Sequence, residues 1–330
     1  MRALVYTGPN SLEMADVPDP IPSAGESVVE IEAVGICGSD QHAYHGTDPR
    51  RMPPLILGHE AAGTVISGEM QGQRVTINPM VTCGTCSYCV ERRENLCPNR
   101  SLLSIPPREG AFAQRVAIPP KNLVAVPDGV PLAHAALAEP LACGWHALRL
   151  AGNSFVRPMA DARLVVLGGG AIGLGTALAA RVYGIEDIWI SEPNAARREM
   201  LSEAGDFQVY GADEEGPEDG SAPLVVDAYG SAASRATASR LAAAGGVIAH
   251  IGLAGGEAGL DTRRMTLQEI TFFGTYTYTD DDFQATAHAI FDGRFGDFSW
   301  IEERPLEDGA QAFRDLDARA VRAAKIVLRP

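Results

Sequence analysis

The chain has 330 residues, enough for two domains with cores of their own, and its 46% hydrophobic and 21% charged content is that of an ordinary globular protein. With 27 Lys plus Arg against 42 Asp plus Glu, the formal charge of -15 argues against general binding to nucleic acid or to anionic membranes. The opening "MRALVYTGPNSLEM" lacks the apolar stretch of a secretory signal, and no apolar run is long enough to span a bilayer, which predicts a reducing cytoplasmic setting.

The first 130 residues read as β-rich. Short β-branched runs such as "SVVEIEAVGI", "GTVI" and "RVTI" are interrupted by Gly, Pro and turn residues every 8–12 positions. Within this region "GICGSDQHAYHG" and "LGHEAAG" bring Cys37 and the pair His59-Glu60 from separate segments. A thiolate, an imidazole and a carboxylate, with a fourth position left for water or substrate, have the composition of a catalytic zinc site. Neighbouring residues of a strand point to opposite faces, so His59 and Glu60 can share a metal only across a bend; otherwise Glu60 sits behind it.

Next comes "CGTCSYCVERRENLC", residues 83 to 97, with four of the six cysteines spaced C-x2-C-x2-C-x7-C. Structural disulfides are rare in a reducing cytoplasm. Cys83, Cys86 and Cys89 share one tight loop and Cys97 returns to it, so four thiolates can close a tetrahedron around one ion. Zinc suits such a cage, having no geometric preference of its own and no redox chemistry. An iron–sulfur cluster is the rival. All four positions are protein ligands, so this metal is structural.

From Pro131 the texture turns helical in "PLAHAALAEPLACGWHALRLAG", where Glu139 offers a further carboxylate at the junction of the two regions. Then strands and helices alternate. "RLVVLG", "DIWIS", "APLVVDAYG" and "VIAHIGL" read as strands, separated by the helical "AIGLGTALAARVYG", "NAARREMLSEAG" and "SRATASRLAAAGG", which means βαβ units and a parallel sheet. "VVLGGGAIGLG" sets Gly168-x-Gly170-Ala171-Ile172-Gly173 between a strand and a helix, the context a dinucleotide fingerprint requires. Gly168 permits the turn, Gly170 lets the backbone approach a pyrophosphate, and Gly173 lets helix and strand pack closely. Glu192 ends the second strand, where a carboxylate accepts hydrogen bonds from ribose hydroxyls and repels a 2′-phosphate. That favours NAD over NADP, although Arg197 or Arg198 could swing toward a phosphate. Ile251-Gly252-Leu253 ends a later strand where the nicotinamide should lie. Lys325, in "AAKIVL", either reaches the pyrophosphate or is a solvated lysine. "EEGPEDG", 214 to 220, reads as a solvated loop.

Taken together, "GICGSD", "GHE", the four-cysteine loop, "EPL" and the glycine fingerprint, in this order, resemble the zinc-dependent medium-chain dehydrogenases over nearly the whole chain. The likeness is closest to the polyol branch of sorbitol, threonine and butanediol dehydrogenases. The resemblance implies an α/β protein: a GroES-like β-rich catalytic domain over 1–140 and 276–330, and a Rossmann doubly wound parallel sheet over 141–275. It implies two zinc ions, the catalytic one on Cys37, His59 and Glu60, with Glu139 binding the metal or its water. Ser39 corresponds to the hydroxyl that contacts the reacting oxygen, His42 to the histidine that passes protons to solvent, and Asp40 to the acid that orients the zinc histidine. Thr275 and Tyr276, with Thr277 and Tyr278, are expected on the nicotinamide side. A homodimer or homotetramer acting on a small alcohol or polyol is implied, with NAD as the hydride acceptor. Two departures stand out. The loop between "GTVIS" and "GQRVTI" is several residues short, and Thr277 stands where sorbitol dehydrogenases have an arginine that helps hold the polyol. A zinc-free quinone or enone reductase and a zinc-ribbon binding module are the competing readings. The metal count separates them: two per chain for the dehydrogenase, one for the module, none for the reductase.

Overall fold

The computed structural model describes residues 1–155, 158–211 and 213–330. The chain divides into two compact units, Met1–Glu139 with Thr279–Gly293 and Ile301–Pro330, and Pro140–Tyr278 with Arg294–Trp300.

The first unit is built on a mixed sheet. In order across it run Leu123–Ala125, Arg74–Ile77, Glu60–Ser67, Ser27–Gly35, Lys325–Arg329 and Ile301–Pro305, with Arg115–Ile118 also paired to Ser27–Gly35. The central strand Ser27–Gly35 is rich in β-branched residues and is buried along most of its length, as a strand covered on both faces should be. Val29, Ile31 and Val34 join Val65, Ile77, Phe112, Ile326 and Leu328 in one core. Two parts of the chain nearly 300 residues apart therefore close one sheet: Val327 pairs with Gly35 and Leu328 with Val34.

The second unit holds six parallel strands: β1 (Leu164–Leu167), β2 (Ile188–Ser191), β3 (Gln208–Tyr210), β4 (Ala222–Asp227), β5 (Ala242–His250) and β6 (Thr271–Gly274). Their order is β3-β2-β1-β4-β5-β6, the arrangement of dinucleotide-binding sheets. The innermost strand β1, "LVVL", is wholly buried, which is why it reads as an unbroken apolar run. The four strands expected from the sequence are all present. The edges β3 and β6 are additions, short and half-exposed, without the apolar continuity that betrays a central strand. The expected division at 275/276 also needs correcting. Tyr276–Tyr278 and Arg294–Trp300 pack with the second unit, because Phe295 and Trp300 are buried there and Phe295 lies 6.4 Å from the ring of Trp145.

Back in the first unit, the helix Asp280–Phe291 begins with a reciprocal cap. Thr279 Oγ1 accepts from the Asp282 N–H, and Asp282 Oδ2 accepts from the Thr279 N–H, satisfying two otherwise orphaned donors. Its first residue meets the four-cysteine loop. The Asp280 N–H donates to Glu94 Oε1 at 3.3 Å, and Asp280 Oδ1 accepts from Asn78 Nδ2 at 2.7 Å. Glu94 Oε2 is buried without a partner.

Burial, and then the neighbouring Glu94 charge, push the Asp280 carboxyl up from 3.8 to about 6, with Lys121 pulling weakly the other way. The folded state thus keeps a proton that the unfolded chain gives up. Stability from this group is full below about pH 4 and is lost as pH rises through about 6. Asp280→Asn removes the titration and gives Glu94 an amide donor. Melting curves from pH 4.5 to 8 should therefore show the variant gaining on the wild type as pH rises, by about 1–3 kcal/mol at pH 8. A gap that does not change with pH would show that the carboxyl is not shifted.

Candidate active site

Two clusters of metal-ligating side chains occur among the described residues, and both lie in the first unit. In the loop 83–97 all four Sγ atoms lie within 4.8 Å of one another. Individual separations are 3.5 Å for Cys86–Cys89 and Cys83–Cys97, and 3.9 Å for Cys83–Cys89. Four thiolates about 2.3 Å from one tetrahedral ion stand about 3.8 Å apart, so this donor set fits zinc. A disulfide would need about 2 Å, and all six cysteines are free. Backbone N–H groups of Thr85 and Cys86 pull the Cys83 thiol down to about 5, while burial pushes Cys89 up to about 12. The loop thus already favours a thiolate at one corner of the cage.

The second cluster comprises Cys37, His59 and Glu60, whose ligand atoms likewise lie within 4.8 Å. The required bend is at Gly58, with φ of 90°, directly before the strand that begins at Glu60. Cys37 caps the short helix Gly38–Tyr44, whose first turn carries Ser39 and Asp40. Asp40 is fully buried; Oδ2 accepts from the Cys37 N–H at 3.0 Å, and Oδ1 lies 3.4 Å from His59 Nδ1. Burial alone would lower the His59 pKa, but the Asp40 charge and hydrogen bond leave it well above the ordinary value. His59 Nε2 lies on the other side of the ring, 3.5 Å from Ser39 Oγ. That nitrogen is the one free for a metal, and Asp40 fixes the tautomer that frees it. His42, in the last turn of the same helix, is exposed.

Glu60 is held by what surrounds it. Gly35 sits across from it in register, and a Cβ there would come within 2.0 Å of Glu60 Oε2. The glycine therefore clears the space the carboxylate occupies. Oε1 accepts from Lys325 Nζ at 2.6 Å, whereas Oε2 is buried with no hydrogen-bond partner. An orphaned carboxylate oxygen beside a thiol and an imidazole fits a bound cation. Lys325 requires a correction. It is not a solvated lysine: it is 4% exposed, and Nζ also donates to Ile36 O at 2.9 Å. Burial opposes its charge, but Glu60 and Cys37 together raise its pKa. Glu139 is buried in the first turn of the helix Ala138–Gly152, outside the three-residue cluster, with its charge felt at Lys325.

In the second unit, Gly168, with φ of 101°, turns the chain out of β1, and Gly170 caps the helix Ala171–Val182, so Ala171 and Ile172 form its first turn. A Cβ on Gly173 would lie 1.8 Å from Gly168 O, so the close helix–strand approach requires glycine. Glu192, at the end of β2, is 4% exposed; Oε2 accepts from the Gly169 N–H at 3.0 Å and Oε1 from the Asn194 N–H at 2.9 Å. Arg197 Nη1 lies 3.8 Å from Glu192, and its Nε is buried without a partner. Arg198 is committed elsewhere, to Glu192 O, Pro193 O and Glu214. Ile251 and Gly252 donate to Asp227 O at the end of β4, and Leu253 is 81% exposed. Thr275 follows β6 with its N–H on His250 O, Tyr276 follows it, and the hydroxyls of Thr275 and Thr277 are buried without partners. Glycines, an acid and orphaned hydroxyls at the carboxyl ends of parallel strands fit a dinucleotide.

Comparison with known proteins agrees. Residues 23–128 match the alcohol dehydrogenase GroES-like domain, and residues 171–292 match the zinc-binding dehydrogenase model. L-galactonate-5-dehydrogenase of Escherichia coli (strain K12) is 30% identical over 311 residues, covering 89% of this chain and 88% of that protein. The chain belongs to the zinc-dependent medium-chain dehydrogenases, in their polyol branch. Among solved structures, L-idonate 5-dehydrogenase from Escherichia coli K-12 is 26% identical with a TM-score of 0.88, covering 100% of this chain and 98% of that one. A zinc-binding dehydrogenase from Sinorhizobium meliloti 1021, bound to NADP, is 28% identical with a TM-score of 0.89, covering 100% and 99%. The chain is thus an enzyme, a zinc- and NAD(P)-dependent dehydrogenase with a GroES-like domain and a Rossmann sheet. No helix among the described residues is long and apolar enough to cross a membrane.

Cys97→Ser removes one corner of the thiolate cage and should cost one metal equivalent. Because the bound metal contributes folding free energy, the melting temperature should fall by roughly 5–15 °C. A variant with unchanged metal content and melting temperature would refute a structural metal here.

Proposed function

We propose that the enzyme oxidises a secondary alcohol, of the polyol or sugar-acid kind, to the ketone with NAD, reversibly. The observation that carries this is the convergence of Cys37, His59 and the half-satisfied Glu60 within 4.8 Å, in a chain that also carries the glycine fingerprint. When bound, zinc supplies a Lewis acid that lowers the pKa of a hydroxyl, and NAD supplies the hydride acceptor. The chain's own residues do the rest. Cys37, His59 and Glu60 would hold the metal, with Glu139 as a further carboxylate for it or its water. Asp40 orients His59. Ser39 Oγ, beside His59 Nε2, accepts the substrate hydroxyl proton while passing its own on through a water or a cofactor hydroxyl to exposed His42, which hands it to solvent, a task suited to an imidazole. Cys83, Cys86, Cys89 and Cys97 would hold the structural zinc. Ile251, Gly252, Leu253, Thr275 and Tyr276 would receive the nicotinamide end. The sugar-acid reading draws on the L-galactonate and L-idonate relatives. A homodimer or homotetramer in a reducing cytoplasm, where six free thiols persist, completes the proposal.

Metal analysis should find two zinc ions per chain, and a panel of secondary alcohols, sugar alcohols and aldonates should reveal NAD reduction. Cys37→Ala should lose one zinc and about 1,000-fold or more in turnover, while NAD still binds. Substantial turnover by that variant would sink the assignment.

NAD rather than NADP rests on Glu192, whose carboxylate is buried and fixed by two backbone N–H groups at the end of β2. A 2′-phosphate would meet it at close quarters. Arg197, with an unsatisfied Nε alongside, is the opposing influence. Glu192→Ser should shift the kcat/KM ratio toward NADP by on the order of 10–1,000-fold. Wild-type enzyme that already prefers NADP would mean that Arg197 outweighs the carboxylate.

A further inference from the structure

His59 Nδ1 faces two side chains. Besides Asp40, it lies 3.3 Å from Ser104 Oγ, a residue 45 positions along the chain and absent from the motifs that mark the site. Ser104 is fully buried and held at φ of 64°, a left-handed conformation that costs a non-glycine residue about 1 kcal/mol. What keeps it there is Arg51, itself 3% exposed. Its Nε donates to Ser104 O at 3.0 Å and its Nη2 to Ser104 Oγ at 3.3 Å. The remaining nitrogen, Nη1, donates to Asp48 Oδ2 at 2.8 Å and to Ser39 O at 3.3 Å. One buried guanidinium thus grips both the residue beside the ligand ring and the backbone of the residue that receives the substrate proton.

We propose that Ser104 is a positioning residue for the catalytic metal, its hydroxyl fixed by Arg51 so as to hold the His59 ring in place whether or not metal is bound. This rests on the reading of Cys37, His59 and Glu60 as a metal centre. A hydroxyl both donates and accepts, whereas a carboxylate only accepts. With a metal on Nε2, Nδ1 must carry the proton, and Ser104 Oγ accepts it alongside Asp40. Without metal the buried Asp40 carboxylate still faces Nδ1 and keeps the proton there, so Ser104 Oγ accepts it in that state too. Ser104 therefore keeps the ring oriented in both states, with Nε2 presented to the cluster before the ion arrives. Arg51 makes this reliable by donating to both oxygens of Ser104, which fixes Oγ beside Nδ1.

Ser104→Gly and Ser104→Ala test this in the full chain. Both delete the hydroxyl, but only glycine is at ease at φ of 64°, so a purely structural role predicts opposite effects. Retention of the weaker zinc equivalent against a chelator such as EDTA should fall about 10–100-fold in both variants. The melting temperature of Ser104→Gly should match or exceed that of Ser104→Ala. Retention unchanged in Ser104→Gly would overturn the proposal. Cys37→Ala, measured alongside, separates the two levels. If it keeps both zinc equivalents, the metal centre itself is misread; if it loses one while Ser104→Gly loses none, only the positioning role fails.

Discussion

The first unit depends on a buried ion pair, Lys325 with Glu60. Each charge taken alone would be expensive in that interior, and leaving either unpaired costs about 3–5 kcal/mol. Held 2.6 Å apart, they hold the strand Lys325–Arg329 against Ser27–Gly35 and fix the height of the carboxylate over Cys37 and His59. Gly35 makes the arrangement possible by leaving room for the second carboxylate oxygen. Sheet closure and the geometry of the cluster are consequently one event: the same contact that completes the β-structure sets the Glu60 carboxylate beside Cys37 and His59.

Three other buried acids are oriented instead by backbone donors. Asp40 is met by the N–H groups of Cys37 and Gly58 and by His59. Glu192 receives two backbone N–H groups, and Asp227 receives those of Tyr229 and Gly230 together with the Ser234 hydroxyl. In each case the backbone supplies fixed donors, so the side chain is oriented without spending mobile cations that a substrate or cofactor would have to displace.

What the sequence discloses is what chemistry writes locally. Four cysteines in fifteen residues and three glycines between a strand and a helix carry their meaning in spacing, and the folded chain brings the four thiols together and sets the glycines at the strand–helix turn. The fate of Lys325 was not legible, because its partner lies 265 residues away and "AAKIVL" gives no sign of which face is buried. Ser104 and Arg51 escaped notice for the same reason: a serine and an arginine in turn-rich segments look solvated until the fold brings 53 residues of separation down to hydrogen-bond distance. The edge strands β3 and β6 were hidden for a different cause, since half-exposed runs of three and four residues fall below the length at which periodicity can speak. The aromatic segment 294–300 followed the tertiary demand of Phe295 and Trp300 for burial, not its position in the chain.

The long return of the chain also has a consequence for biosynthesis. Cys37, His59 and Glu60 leave the ribosome early, yet the lysine that neutralises Glu60 follows 265 residues later. At about 5–20 residues per second, that is a delay of roughly 13–50 s, during which the whole nucleotide-binding sheet is made and can fold. Through this interval Cys37 and the four-cysteine loop belong to a unit whose strand Ser27–Gly35 lacks its partner Lys325–Arg329. The maturing protein is therefore most exposed to thiol oxidation, wrong-metal capture and strand mispairing before its last strand docks, and the cluster of Cys37, His59 and Glu60 is among the last features to be finished.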